Sequence, residues 1–410
     1  MDTKKKKRVF VGMSGGVDSS VAALLLKKEG YDVTGVFING FNVDGCSEKD
    51  AEDARRTADH IGIPFYVLDA REDYFDHVVQ YMIEGYKNGI TPNPDVMCNK
   101  EIKFGVFLDK ALKLGADYIA TGHYIRLLSP DVFAQSVSGA TPKSYSSQKH
   151  PTTDSDMVSV SDYRLSTAKD KNKDQSYFLW TLTQEQLKHC LFPIGKYTKP
   201  EIRKIAENAG LPTAEKKDSQ GVCFLGKVKL PDFLKEYIEP KKGDVLDTDG
   251  NKIGEHEGIQ FYTIGQRHLN IHNNQSSPNI KKQKTNQRPY YVVNKDIRTN
   301  RLVVADGDDN PALFKHEVML TGVHFIGSDL SEIKNLTRLP DGQKLKILCR
   351  VRYRQPLVNA ALFGMKDGSY KIEFAEPVKF IAPGQSAVFY SENADENGNH
   401  EMLGGGVILE

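Results

Sequence analysis

Gly12-Met13-Ser14-Gly15-Gly16-Val17-Asp18-Ser19-Ser20 is the stretch on which the reading of this chain turns. The apolar run from Arg8 to Met13 leads into it as a buried strand, and Ser20 to Glu29 follows with helical spacing. A glycine-rich turn between strand and helix exposes backbone N–H groups at the positive end of a helix, where they cradle phosphate oxygens. The glycines let the backbone approach a ligand closely, and Ser14, Ser19 and Ser20 add hydroxyl donors. The stretch lacks the lysine of a Walker A loop, and it does not fit the dinucleotide fingerprint G-x-G-x-x-G. The bland alternative is an ordinary strand-to-helix turn.

Outward from the loop, Val33 to Ile38, Phe65 to Leu68 and Tyr118 to Thr121 read as further strands. Between and after them, Ala51 to Ile61, Tyr74 to Gly85 and Phe104 to Leu114 carry helical spacing. This alternation argues for an α/β fold, a Rossmann-like parallel sheet with helices on both faces. Ser129 to Ser161 breaks the pattern as a polar, serine-rich insertion; order resumes at Tyr163 to Ala168, and Gln175 to Cys190 reads as a helix. We expect the nucleotide-binding domain over 1–192 and a small central α+β domain over 193–258, whose helix runs from Pro200 to Asn208. A C-terminal β-barrel is expected over 259–410, from the strands Tyr290 to Val293, Arg301 to Ala305, Gln343 to Gln355, Tyr370 to Phe374 and Ser386 to Tyr390. Asp341-Gly342 and Asp367-Gly368 supply turns between them, and Asn270 to Arg288 forms a second polar insertion.

The charge balance, 55 Lys and Arg against 54 Asp and Glu, gives +1, so any nucleic-acid surface has to be local. No apolar run approaches the length of a membrane helix, and the basic start, Met1 to Arg8, is followed by too few apolar residues for a signal peptide. A cytoplasmic location without a membrane partner is therefore expected. The five cysteines, Cys46, Cys98, Cys190, Cys223 and Cys349, contain no CxxC pair and in a reducing compartment are buried hydrophobes or reactive thiols.

Candidate chemistry gathers at a few places. Gly122, in Thr121-Gly122-His123 at the carboxyl end of a strand, would let a nucleoside lie against the chain; Ile38 ends another strand and is either core or a base contact. Cys98 sits in the turn-forming Asn93-Pro94-Asp95-Val96-Met97-Cys98 beside Lys100 and Lys103, a setting that lowers a thiol pKa and is expected to expose it. Cys223 follows Lys216-Lys217 in a loop of similar character. Lys344, Lys346, Arg350, Arg352 and Arg354 alternate along one strand, which would put five cations on one face, for RNA phosphates or simply for solvent.

The loop resembles the Ser-Gly-Gly-x-Asp-Ser loop of the ATP pyrophosphatases, the PP-loop family. Almost the whole chain resembles the bacterial tRNA-specific 2-thiouridylases. The matching segments beyond the loop are Thr91 to Asp95, Cys98 to Phe104, Ala120 to Tyr124, Asn172 to Tyr177, Gly221 to Phe224, Thr263 to Arg267 and Pro383 to Ser386. That resemblance implies ATP, with Mg2+ as its counter-ion, at Gly12, Met13, Ser14, Gly15, Gly16, Val17, Asp18, Ser19, Ile38 and Gly122. It implies the wobble uridine at Asn93, Pro94 and Asp95, with Asp95 as acid or base; Cys98 as nucleophile; Cys223 as persulfide carrier; and a Cys98–Cys223 disulfide at the end of the cycle. The implied tRNA contacts are His123, Lys173, Asp174, Gln175, Arg352, Tyr353 and Gln385. The implied partners are tRNAs for lysine, glutamate and glutamine and a sulfur-donor protein, either a cysteine desulfurase or a persulfide relay. The alternatives are another PP-loop synthetase or ligase, which would not need the two cysteines, and a non-enzymatic ATP- and RNA-binding protein.

Overall fold

The computed structural model describes residues 6–43, 45–129, 162–218, 224–226, 228–267, 269, 288–327 and 344–409. Cys223, the turn Asp341-Gly342 and nearly all of both polar insertions lie outside the described residues.

The first unit is built on a parallel sheet. Strands β1 (Arg8–Gly12), β2 (Asp32–Asn39), β3 (Phe65–Asp69), β4 (Tyr118–Thr121) and β7 (Cys190–Leu191) lie in the order β3-β2-β1-β4-β7, and each neighbouring pair is parallel. Val9 and Val11 in β1 and Val33 and Val36 in β2 are buried, as expected of strands covered on both faces. Helix α1 (Val17–Lys28) packs beside α2 (Cys46–Ile61). Helix α3, residues 71–87, and helix α4, residues 94–113, each contain a π-helical segment, Phe75–Val79 and Cys98–Val106 respectively. Two short strands, β5 (Arg126–Leu128) and β6 (Arg164–Ser166), flank the first insertion and join the C-terminal sheet instead.

The helix expected over Gln175 to Cys190 is absent. A 3-10 turn (Ser176–Phe178), helix α5 (Gln184–Leu187) and strand β7 replace it. Tyr177, Leu179, Trp180 and Leu182 are all buried, which one face of a helix cannot do, and Thr183 with Gln186 forms a capping box that starts a new helix. The aromatic side chains anchor elsewhere: Trp180 Nε1 donates to Ser386 Oγ (3.0 Å) and the Tyr177 hydroxyl to Ser386 O (3.0 Å).

Helix α6 (Lys199–Asn208) covers α1; Thr198 caps it in a box with Glu201, and Pro200 sits in its first turn. After α7 (Leu230–Leu234) comes a separate four-stranded sheet of β8 (Gly243–Leu246), β9 (Lys252–His256), β10 (Tyr290–Asp296) and β11 (Arg301–Asp306), in the order β10-β11-β8-β9. β10 and β11, read from sequence as barrel strands, thus pair with the central unit. The barrel itself closes through β12 (Phe314–Phe325), β15 (Tyr370–Lys379), β14 (Val358–Gly364), β13 (Leu345–Arg350), β16 (Ser386–Ala394) and β17 (His400–Ile408), with β17 pairing back onto β12. β6 adds to β17, so the first unit and the barrel share one sheet.

Candidate active site

The phosphate-binding geometry begins with β1 ending at Gly12. Met13 N donates to Val36 O (2.8 Å), holding the chain in register before it turns. Gly15 has φ +72°, and a Cβ there would lie 2.3 Å from Asp50 O, so both backbone conformation and space require glycine. Ser19 Oγ accepts from Ser14 N (3.1 Å) and donates to Gly16 O (3.2 Å), while Ser20 Oγ donates to Gly16 O (2.8 Å). Gly16 occupies the helix cap without a side-chain bond to the first turn of α1, which leaves those amides for a ligand. A Cβ at Gly122 would meet Ser19 N at 2.6 Å, so the end of β4 lies directly on the loop backbone.

Asp18 would repel a phosphate if its charge stood alone. It does not: Lys199 Nζ lies 2.8 Å from both carboxylate oxygens, and the Tyr124 hydroxyl donates to Oδ1 at 2.7 Å. Burial and the Asp18 carboxylate push the Tyr124 phenol up, which keeps it a donor. Lys199 also pairs with Asp218 Oδ1 (2.7 Å), whose carboxylate takes Lys173 Nζ (2.5 Å) and Arg203 Nη2 (3.2 Å) as well. Burial would raise Asp218, but the bonds from Lys173 and Lys199 outweigh it and hold the carboxyl at about 2. Neither Lys199 nor Asp218 was singled out from sequence. One signal was available: a lysine in the first turn of a helix opposes the macrodipole and needs an acidic partner.

The loop opens on a cavity of about 360 Å³, within the range of small-molecule sites. Met13, Phe37 and Ile38 supply an apolar wall, while Ser14, Ser19 and Gly122 face it from the phosphate end. Cys98, Lys103, His123 and Gln175 line the same cavity, so a nucleotide-type loop and a thiol share one space. Hydroxyls, uncapped amides and an apolar slot are the donor set that a purine nucleotide needs. Cys98 is only 5 % exposed, contrary to the expectation of an exposed thiol, and is reached through this cavity. His123 is buried, with Nδ1 at 2.8 Å from Thr121 Oγ1, and burial first, then the Lys103 charge, drives its pKa well below the ordinary imidazole value. The residue after Cys223, Phe224, also lines the cavity, packing on Phe41 and Tyr74.

Asn93, Pro94 and Asp95 are not part of the wall of this cavity. Asn93 Oδ1 caps the start of α4 by accepting from Val96 N (3.3 Å), and Pro94 fills the first helical position. Burial raises the Asp95 pKa against the opposing charge of Lys103. Cys190 and Cys349 are buried thiols whose pKa values burial pushes up, Cys349 to about 12, so neither is reactive.

Comparison with known proteins places this geometry. Residues 7–227 match the family model described as tRNA methyl transferase HUP domain, 231–306 the tRNA methyl transferase PRC-barrel domain, and 326–408 the aminomethyltransferase beta-barrel domain. The tRNA-specific 2-thiouridylase MnmA of Streptococcus equi subsp. zooepidemicus is 42% identical over 100% of this chain and 96% of its own length. The chain belongs to the tRNA-specific 2-thiouridylase family. MnmA 1 of Geobacillus kaustophilus is 41% identical, covering 99% of this chain and 96% of the relative, and MnmA of Idiomarina loihiensis 38%, covering 98% and 96%.

Within this thiouridylase-family chain, Asp174 and Arg350 are buried, and other residues singled out for RNA contact are half-buried with partners inside the chain. Asp174 is 2 % exposed and accepts from Ala168 N (3.2 Å), Ser176 Oγ (3.0 Å) and Arg350 Nη1 (3.1 Å). The face of five cations does not form. β13 ends at Arg350, which is buried on Asp174; the chain then turns, with Gln355 N donating to Arg352 O (3.2 Å) and Arg354 at φ +67°. Pro356 follows that turn, and a proline cannot donate to a strand ladder. Arg352 is partly buried, and Tyr353 packs on Phe178 with ring centroids 4.5 Å apart. Gln385 Nε2 donates to Thr91 O (2.9 Å) and Pro92 O (3.1 Å), so the barrel holds the segment leading to Asn93. Gln175 Oε1 accepts from Tyr124 N (2.9 Å), and Lys173 is engaged with Asp218.

Proposed function

We propose that this protein carries out ATP-dependent 2-thiolation of the wobble uridine of tRNA, yielding 2-thiouridine, AMP and pyrophosphate. The observation that carries the reading is the shared cavity, in which the Gly12–Ser19 loop and the Cys98 thiol face one space. The loop binds the phosphates of ATP through amides and hydroxyls, with Ile38 and Gly122 at the nucleoside; Mg2+ enters as the counter-ion of ATP. Adenylation converts uridine O2 into a leaving group, and Asp95, whose pKa burial raises, is suited to accept a proton. Cys223 brings the sulfur as a persulfide and Cys98 resolves it, ending in a Cys98–Cys223 disulfide. The described residues flanking the Cys223 segment support this assignment, because Asp218 is tied to Asp18 through Lys199 and Phe224 lines the cavity. Asn93 and Pro94 present the target base, held from the barrel by Gln385. His123, Lys173, Gln175, Arg352 and Tyr353 border the tRNA path, and Asp174 serves it indirectly by fixing the segment between Lys173 and Gln175.

We assign lysine, glutamate and glutamine tRNAs as acceptors, a desulfurase or persulfide relay as donor, and the reducing cytoplasm as setting. A methyl-transfer reading, suggested by the family-model names, gives no role to a phosphate loop opening on a thiol. The test is to incubate protein, ATP, a persulfide-level sulfur donor (cysteine with a cysteine desulfurase) and uridine-bearing tRNA, then assay AMP, pyrophosphate and tRNA mass. Sulfur-for-oxygen exchange with stoichiometric AMP supports the proposal. An added methyl group, or AMP without sulfur incorporation, refutes it.

A further inference from the structure

The loop carries no lysine of its own, and Lys199 does not fill that gap, because its three N–H donors already serve Asp18 and Asp218. Of the basic residues lining the cavity, His123 is kept neutral by burial, which leaves Lys103 as the cation there. Its neighbour Lys100 is paired with Glu101 (2.8 Å). Among the described residues no hydrogen bond or ion pair occupies the Lys103 ammonium.

The backbone explains how Lys103 comes to face the same space as Cys98. In an α-helix of 3.6 residues per turn, a residue five positions on lies about 140° around the axis. Cys98 and Lys103 would then face different sides. Cys98–Val106 is instead π-helical, with Phe107 N–H donating to Ile102 O, and this wider i→i+5 winding sets Cys98, Ile102 and Lys103 on one wall of the cavity. Gly105 permits it: a Cβ there would already lie 3.1 Å from Lys100 O. π-Helical segments recur at functional sites because they re-aim a side chain in this way.

We propose that Lys103 is the phosphate-binding lysine of the site, contacting the α-phosphate oxygens of ATP and of the adenylated uridine. The assignment rests on the adenylation reading above. In that step the uridine O2–Pα bond forms as the Pα–O bond to pyrophosphate breaks. Pyrophosphate leaves with the bonding pair, the uridine N3 proton passes to Asp95, and Lys103 keeps its own proton throughout. Its work is to offset the charge gathering on the α-phosphate.

The test uses the full chain, titrated calorimetrically with AMP and with adenosine, for wild type, Lys103→Gln and Lys103→Arg. AMP should bind the wild type more tightly than adenosine does. Lys103→Gln should weaken AMP about tenfold or more, as expected for one charge-assisted hydrogen bond, and leave adenosine within about twofold. Lys103→Arg should keep most of the discrimination. An AMP-to-adenosine ratio of one in the wild type overturns the assignment, as does an unchanged ratio in Lys103→Gln, whether both ligands weaken together or neither does. Pyrophosphate release by the wild type with tRNA is scored separately. Its absence alongside a ratio that collapses in Lys103→Gln would sink the thiolation reading while supporting the phosphate contact.

Discussion

Replacing Lys199 by methionine keeps the length and apolar stem of the side chain and removes only the ammonium. Two bonds of 2.8 Å to Asp18 and one of 2.7 Å to Asp218 disappear, which leaves two carboxylates facing each other across the space it occupied. Hydrogen bonds to charged groups contribute about 1.5–3 kcal/mol each. Their simple sum overstates the loss, because the Asp18 and Asp218 side chains are 30% and 29% exposed and water repairs part of it. Tyr124 still donates to Asp18, and Lys173 and Arg203 still hold Asp218. The net effect is then about 2–3 kcal/mol, felt where α6 braces the start of α1. Because the chain has three units and need not unfold in one step, the appropriate assay is local. Hydrogen exchange of peptides covering 12–20 should speed up about thirty- to 150-fold in Lys199→Met, with the barrel peptides unchanged. In a double-mutant cycle, Asp18→Asn should recover part of that protection, because it removes one stranded charge. Wild-type exchange in the single mutant, or strictly additive effects in the cycle, would refute the brace.

Three further outcomes follow from the geometry. Gly122→Ala should weaken ATP binding at least tenfold in calorimetry, because the new Cβ would sit 2.6 Å from Ser19 N and 2.8 Å from Asp18 C, backbone atoms that cannot step aside; unchanged affinity would show that the loop gives way. Arg350→Met should lower thermal stability by about 3 kcal/mol in the transition that includes the barrel, since it takes the ion-pair partner from the Asp174 carboxylate, 1% exposed, which keeps only its bonds from Ala168 N and Ser176. A melt within error of wild type would contradict that value. His123 should stay neutral in the folded protein: its ring resonances should not move as pH falls through the region near 6.5 where an unfolded histidine titrates. Unfolded chain then binds the extra proton, so this residue's stabilising effect is complete above about pH 6.5 and shrinks as pH falls below it; a ring titrating near 6.5 would refute its burial.

What the sequence by itself determined is local and contiguous. The strand, glycine turn and helix around Gly12 to Ser20 follow from short-range spacing, and one nine-residue run carries both the backbone shape and the donors of the phosphate site. Strand and helix alternation likewise announced the parallel sheet, and turn-separated strands the barrel. Where segments were misread, the reason was long-range. Gln175 to Cys190 has helical spacing, but its aromatic residues bury against Ser386 and the barrel, which no window over that segment contains. Arg350 has strand alternation and a charge suited to RNA, yet its fate was decided by Asp174, 176 positions earlier. Gln385, which the family resemblance implies as a tRNA contact, also donates to the backbone carbonyl of Thr91, a partner 294 positions earlier that no local window contains. Lys199 and Asp218 escaped notice because a charge acquires its role only when folding brings its counter-charge within about 3 Å and removes the water between them. The π-helical winding that sets Lys103 beside Cys98 belongs to the same class. A change of hydrogen-bond register by one residue is a small difference in local energy, and it is the packing of the surrounding cavity wall that selects it.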